Sequence, residues 1–293
     1  MLTQQLLNAL TLGSVYALFA LGFTLVFGVL AVINLSHGAV FMIGSYVALV
    51  VVTRFAMPLW FGLLLAMAAS GTLGLLIDVL VLKRLRARNA PHLMPMIATI
   101  GVAIILASSV QGIFGAEILR FPEGTLPAGE FIVGDVHVRA IEIGIVGIAF
   151  ALMAALLLVI RRSRTGRALR AIAESPKAAA LLGINVEGLF HATAFVAAAL
   201  GGAAGVLIGL DFNAITPLMG QPILHKGIAV IILGGMGDIR GALIAGLFLG
   251  FAEVMSKAYI SSQMGDAAAF GLLFLILLVK PSGLFGRVLE RKA

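Results

Sequence analysis

Runs of apolar residues long enough to cross a bilayer follow one another along almost the whole chain, separated by short polar or basic interruptions. A helix of about 20 apolar residues spans roughly 30 Å of hydrocarbon. This pattern predicts membrane helices over Leu6 to Ile33, Gly38 to Met57, Trp60 to Leu82, Leu93 to Phe114, Ile143 to Ile160, Leu189 to Leu210, Ile223 to Met236, Ala242 to Met255 and Ala267 to Val279. The count is about nine, and about eight fits equally well, because the first two runs are nearly continuous around a polar interruption. The expected fold is all-α: a polytopic membrane helical bundle, one transmembrane domain over residues 1–293, with helices broken at buried polar interruptions.

Composition agrees with the pattern. Of 293 residues 61% are hydrophobic and 11% charged, far more apolar surface than a soluble core of this length needs. Lys, Arg, Asp and Glu are absent before Arg54, so the positive stretch of a cleaved signal peptide is missing and the N-terminal run is expected to be a first membrane segment.

Charge adds orientation. The net charge of +7 falls in short blocks between apolar runs, as positive-inside loops require and as a nucleic-acid-binding surface does not. Lys83, Arg84, Arg86 and Arg88 form one block, the loop from Arg161 to Gly188 a second, and Arg287, Arg291 and Lys292 a third. The predicted spans between successive blocks are even in number, so all three fall on the cytoplasmic side. The segment from Gly115 to Glu142 then lies outside, a loop between spans or a contact for an external partner. Its Phe131, Val133, Val136 and Val138 predict a small hairpin turning at Gly134 and Asp135.

Candidate chemistry is sparse. Cys is absent, which excludes disulfides and thiolate metal sites. The five histidines (His37, His92, His137, His191, His225) have no metal-ligand spacing, and no catalytic set emerges. The chain contains no phosphate loop of the G-x-x-x-x-G-K-[ST] type, so it does not bind ATP by that route. The interruption Asn34, Leu35, Ser36, His37, Gly38 fits equally a helix break beside a polar path, whose backbone groups can hold a zwitterion, or a helix cap at a turn. Gly234, Gly235, Gly237 and Gly241 predict a tight turn, with Asp238 and Arg240 free to pair. Glycines such as Gly201, Gly202, Gly205 and Gly209 predict close helix packing. Among the ionisable residues near apolar runs (Asp78, Asp211, His225, Lys226, Glu253, Lys257), snorkelling from span ends accounts for most, and Glu253 is the strongest functional candidate.

Three collinear stretches, residues 13–47, GRALRAIAESPKAAALLGIN at 166–185 and ILGGMGDIRGALIAGLFLGFAE at 232–253, resemble the LivH-type permeases, membrane subunits of branched-chain amino acid ABC importers. The similarity runs from about Leu6 to Gly286. It implies a non-enzymatic, multi-pass subunit of the bacterial inner membrane that carries branched-chain or related amino acids from periplasm to cytoplasm. Its implied partners are a sister LivM-type permease, two cytoplasmic ATPase subunits that bind the ATP and Mg, a periplasmic substrate-binding protein and membrane lipid. Carried onto this chain, Gly166, Arg170, Ala171, Glu174, Ala178, Gly183 and Ile184 would couple to the ATPase. Asn34, Ser36, His37 and Gly38, with Glu253, would line the substrate pathway, and Gly234 to Gly241 would be the glycine-rich turn. Lys226, Gly227 and Ile228 depart from the Lys-Ala-Phe often found in the family, and Asp211 is an unusual charge at an external end. Related permeases for urea, short amides or aromatic acids share the architecture. A stand-alone secondary transporter is the rival of another class.

Overall fold

The computed structural model describes residues 2–91, 93–122, 124–125, 129–133 and 136–286. In chain order these form α1 (Leu2–Leu30), α2 (His37–Arg54), α3 (Leu59–Ile77), α4 (Lys83–Ala87) and α5 (Leu93–Phe114). A hairpin of β1 (Glu130–Val133) and β2 (Val136–Arg139) leads to α6 (Ala140–Arg162), α7 (Arg164–Glu174), α8 (Pro176–Leu181) and α9 (Val186–Phe212). The chain ends in α10 (Gly220–Gly234), α11 (Ile239–Tyr259) and α12 (Gly265–Val279). One π-helical turn, Asp78–Leu82, joins α3 to α4 without a break, so Leu59–Ala87 is a single span. The hairpin is antiparallel with Phe131 opposite Val138 and Val133 opposite Val136, the alternation read from sequence. Its turn residues Gly134 and Asp135, the third basic block (Arg287, Arg291, Lys292), Pro127 and His92 lie outside the described residues.

α1 is the axis of the bundle. Its residues from Ala9 to Leu30 are almost all buried, and it packs on α6, α9, α10 and α11. Small residues make this possible: α11 crosses α1 so closely that a methyl group at Gly246 would lie 2.5 Å from the Ala17 backbone. α5, α6 and α12 instead leave large apolar side chains such as Ile97, Ile105, Leu158 and Leu278 exposed, the surface expected of helices that face lipid or another membrane subunit.

Both ends of the bundle are fixed by polar contacts. At one end Lys83 pairs with Glu187 at 2.9 Å, which places the first basic block beside the second. Leu284 and Phe285 donate their backbone N–H groups to Leu233 and Gly234, and Gly237 shares a small cavity with Arg170, so the chain up to Gly286 returns to this end. At the opposite end Gln4 and His137 exchange two hydrogen bonds (3.0 and 2.9 Å), and Asn213 accepts one from the Phe121 N–H at 2.9 Å. The N-terminus therefore lies at the same end of the bundle as the hairpin, opposite the basic blocks.

Among the described residues eight helical segments are long and apolar enough to span a membrane, the last running from Ser262 through α12 to Val279, and α10 is not one of them. Its 15 residues reach about 22 Å, short of the hydrocarbon thickness. The crossing is completed by the non-helical segment 213–219, which leaves α9 at Asn213 (φ 44°), bridges Leu119 through Ile215 and enters the bundle before Gly220. The interruption that left eight spans and nine equally open separates two distinct helices, α1 and α2, and the passage through 213–219 and α10 adds a discontinuous crossing to the eight continuous ones.

Candidate functional site

The Asn34–Gly38 interruption is a true break at depth. α1 ends where Ala31 turns into the left-handed region (φ 53°), and α2 starts only at His37. Asn34 and Ser36 are buried rather than set at an exposed turn. The Asn34 Oδ1 accepts from the Ser36 N–H (3.1 Å) and hydroxyl (2.5 Å), while the Leu35 N–H donates to Thr99 of α5 at 3.1 Å. Side chains thus replace the missing helical hydrogen bonds, as a buried irregular backbone demands. Ser36 makes no side-chain cap to α2, so the helix-cap reading is replaced by a braced break.

The start of α10 meets the start of α2. Gly38 and Gly220 face each other backbone to backbone: a methyl at Gly220 would lie 2.0 Å from the Gly38 carbonyl oxygen, and one at Gly38 2.5 Å from that of Gly220. Beside this junction opens a cleft of about 600 Å³ between α2, α5 and α10. Gly38, Ala39, Met42, Met96, Ile100, Ile104, Leu224 and Ile228 form its mainly apolar wall, with Gln221 and His225 as side-chain polar groups. Its chemistry suits an apolar group, held by dispersion and desolvation and oriented by few polar contacts.

The other expected pathway residues lie elsewhere. His37 is 2% exposed, stacked near Phe19 and Phe23 (ring centroids 4.7 and 5.5 Å) with its Nε2 unpartnered among the described residues. Glu253 is 1% exposed and belongs to an ion network. Its Oε1 accepts from Lys226 (2.8 Å) and Lys257 (2.6 Å), its Oε2 from the Tyr16 hydroxyl (2.9 Å), and Lys226 also reaches Asp266 at 3.0 Å. Snorkelling, the sequence expectation for Lys226, is corrected: Lys226 is buried against two carboxylates. Asp78 is fully buried, held by Arg86 and His191, each at 2.7 Å. Sequence reasoning missed these pairs because partners such as Asp78 and His191 stand far apart in the chain. Asp78→Ala is expected to cost about 3 kcal/mol by stranding Arg86, whose side chain is only 19% exposed. Lys83→Ala, which breaks a half-exposed pair, costs less than about 1 kcal/mol. Thermal unfolding in detergent compares the two.

At the basic end of the bundle α7 is amphipathic, with Gly166, Leu169 and Ile172 buried and Arg164, Arg167 and Glu174 exposed. Ser163 caps α7 by accepting from the Gly166 N–H (2.9 Å), and Ser175 caps α8 by accepting from the Ala178 N–H (3.3 Å). Arg170 donates to the Ile160 carbonyl at the end of α6. Ala171 and Ile184 are half-buried, Ala178 is exposed, and Gly183 turns the chain with φ +79°. Leu181 and Leu182, which sequence reasoning passed over, are 90% and 80% exposed at the tip. In the glycine-rich turn Gly235 and Gly237 have positive φ, and Asp238 accepts from the Gly241 N–H (2.8 Å) as the cap of α11 instead of pairing with Arg240. Among the described residues no three His, Asp or Glu side chains come together to hold a metal ion.

Discontinuous crossings, a mainly apolar cleft and a basic amphipathic loop define a membrane transport subunit. The chain belongs to the family described as branched-chain amino acid transport system, permease component, whose model matches residues 5–279. It is 40% identical to the high-affinity branched-chain amino acid transport system permease protein BraD of Pseudomonas aeruginosa, over 97% of this chain and 95% of that protein. It is 38% identical to the corresponding LivH protein of Escherichia coli K12, with the same coverage. The probable branched-chain amino acid transport permease protein LivH of Methanocaldococcus jannaschii is 32% identical over 95% of this chain and 91% of its own length. No solved structure matches.

Proposed function

We propose that this chain is one permease of an ATP-driven importer in a bacterial inner membrane, passing branched-chain amino acids from periplasm to cytoplasm. Two cytoplasmic ATPase subunits bind ATP and Mg, a periplasmic binding protein delivers substrate, and a LivM-type sister permease completes the path. The observation that carries the importer reading is the exposed Leu181–Leu182 pair at the tip of a basic loop on the cytoplasmic side. Adjacent aliphatic side chains outside the bilayer call for a soluble partner, and the short turn 182–185 joins α8 to α9 at the heart of the bundle. ATPase closure would reach the cleft by this route, shifting the permease between two states.

Within this reading the Gly38–Gly220 junction and the apolar cleft form the pathway, the Asn34–Ser36 break shapes it, and Glu253 fastens α10 rather than touching substrate. The cleft favours valine, leucine and isoleucine over urea, which offers no apolar surface to bury. The test is uptake of labelled leucine, urea and benzoate in vesicles carrying the whole complex, with and without the ATPase subunits and binding protein. Leucine uptake requiring both supports the proposal; uptake without the ATPase overturns it. Glu174→Arg is expected to lower leucine uptake severalfold by weakening ATPase docking, with the permease still folded. Normal uptake and normal complex yield in that variant would remove the loop's coupling role.

A further inference from the structure

A second cavity, about 410 Å³, opens at the outer end of the bundle and shares no lining residue with the apolar cleft. It collects both signs of charge at the level where a periplasmic ligand first meets the membrane. Arg139, which precedes α6, donates its Nε to Glu142 (2.8 Å) and one Nη2 bond to Asp211 (3.0 Å). Lys257, from α11, bonds Glu253 and is 42% exposed at its side chain. These pairs leave capacity unused. Among the described residues Asp211 accepts a hydrogen bond at Oδ1 alone, Arg139 Nη1 donates none, and Lys257 uses one of three donor protons. Leu12, Phe212 and Val254 add apolar wall to the same space.

A cavity with a spare carboxylate oxygen, two spare cationic donors and an apolar side matches a molecule carrying an ammonium, an acid group and a hydrophobic remainder. We propose that this outer cavity binds such a zwitterion, its ammonium facing Asp211, its acid group facing Arg139 and Lys257, and its apolar part facing Leu12, Phe212 and Val254. Two sources have this chemistry: a free amino acid released at the outer face, which rests on the importer reading, and the headgroup of phosphatidylethanolamine, which does not. Asp211, an odd charge at a helix end when read from sequence, becomes the residue that selects for the ammonium.

The experiment uses the purified whole complex in nanodiscs without binding protein or nucleotide. In phosphatidylcholine discs, labelled leucine is measured by equilibrium binding; in a parallel set, the shift in melting temperature on adding phosphatidylethanolamine is recorded. Asp211→Asn and Lys257→Gln are compared with the wild type, and each keeps side-chain size while removing one charge. Leucine binding weakened about tenfold or more in both variants assigns the amino acid. A phosphatidylethanolamine-dependent shift that both variants lose, without leucine binding, assigns the headgroup. Absence of both signals, or their survival in both variants, overturns the proposal. ATP-driven uptake by the wild type is scored separately, so failure of this site and failure of the importer reading are distinct results.

Discussion

Glu253→Ala is expected to destabilise the permease by about 3–5 kcal/mol, the range for removing one partner from a buried ion pair. The Glu253 carboxylate is 1% exposed and accepts from Lys226, Lys257 and Tyr16. Its loss leaves Lys226, itself 8% exposed, with Asp266 as its remaining anion. Lys257 and Asp266 have side chains 42% and 63% exposed, so both can hydrate when the network is dismantled. The double variant Lys226→Met with Glu253→Met is accordingly expected to recover most of the lost stability, because no charge is then stranded at depth. Thermal unfolding in detergent, run on both singles and the double, checks this. A double variant no more stable than Glu253→Ala would show that the network is not held by charge pairing.

The second large effect falls on transport. Gly220→Leu forces a side chain into the Gly38 carbonyl, where even a methyl carbon would stand 2.0 Å away. Backbone has no rotamer by which to yield, so α2 and α10 must separate, at an overpacking cost of about 1–3 kcal/mol. A bias of about 1.4 kcal/mol between two states changes their ratio about tenfold. Leucine uptake in vesicles is therefore expected to fall by roughly a factor of ten, with the complex still assembled. Gly101→Ala on α5 is the control, since nothing lies within 4 Å of its added methyl, and uptake should be unchanged. Equal uptake in Gly220→Leu and Gly101→Ala would separate the junction from the transport path.

Spans, and the gathering of the first two basic blocks at one end of the bundle, were legible in the sequence because they depend on run length and on where Lys and Arg stand, both local properties. Lys83, Arg84 and Arg86 needed no knowledge of partners to mark one end of the bundle, and the hairpin's alternation from Phe131 to Val138 sufficed to predict it. The cleft was not legible. Met42, Ile100 and Ile228 come from three separate helices and read the same as residues that face lipid. Only packing distinguishes them. Burial of Asp78 and Lys226 was hidden for a related reason: hydropathy registers a charge near the end of a run, while its cost is decided by a partner on another helix. Leu181 and Leu182 were readable in principle, as two adjacent leucines in a loop otherwise rich in Arg and Ala.

The central position of α1 also bears on how the protein is made. Its neighbour α11 is encoded about 230 residues later, which at roughly 5–20 residues per second means about ten to fifty seconds of synthesis between them. During that interval the glycine and alanine face of α1 is bathed in acyl chains. Lipid tails solvate apolar groups well, so α1 is stable alone in the bilayer and is displaced from lipid only when small residues of α11, such as Gly246 and Gly250, come close enough to exclude it. The bundle is thus closed by one of its late helices, and a nascent chain stopped short of α11 would leave the small-residue face of α1 without its protein partner.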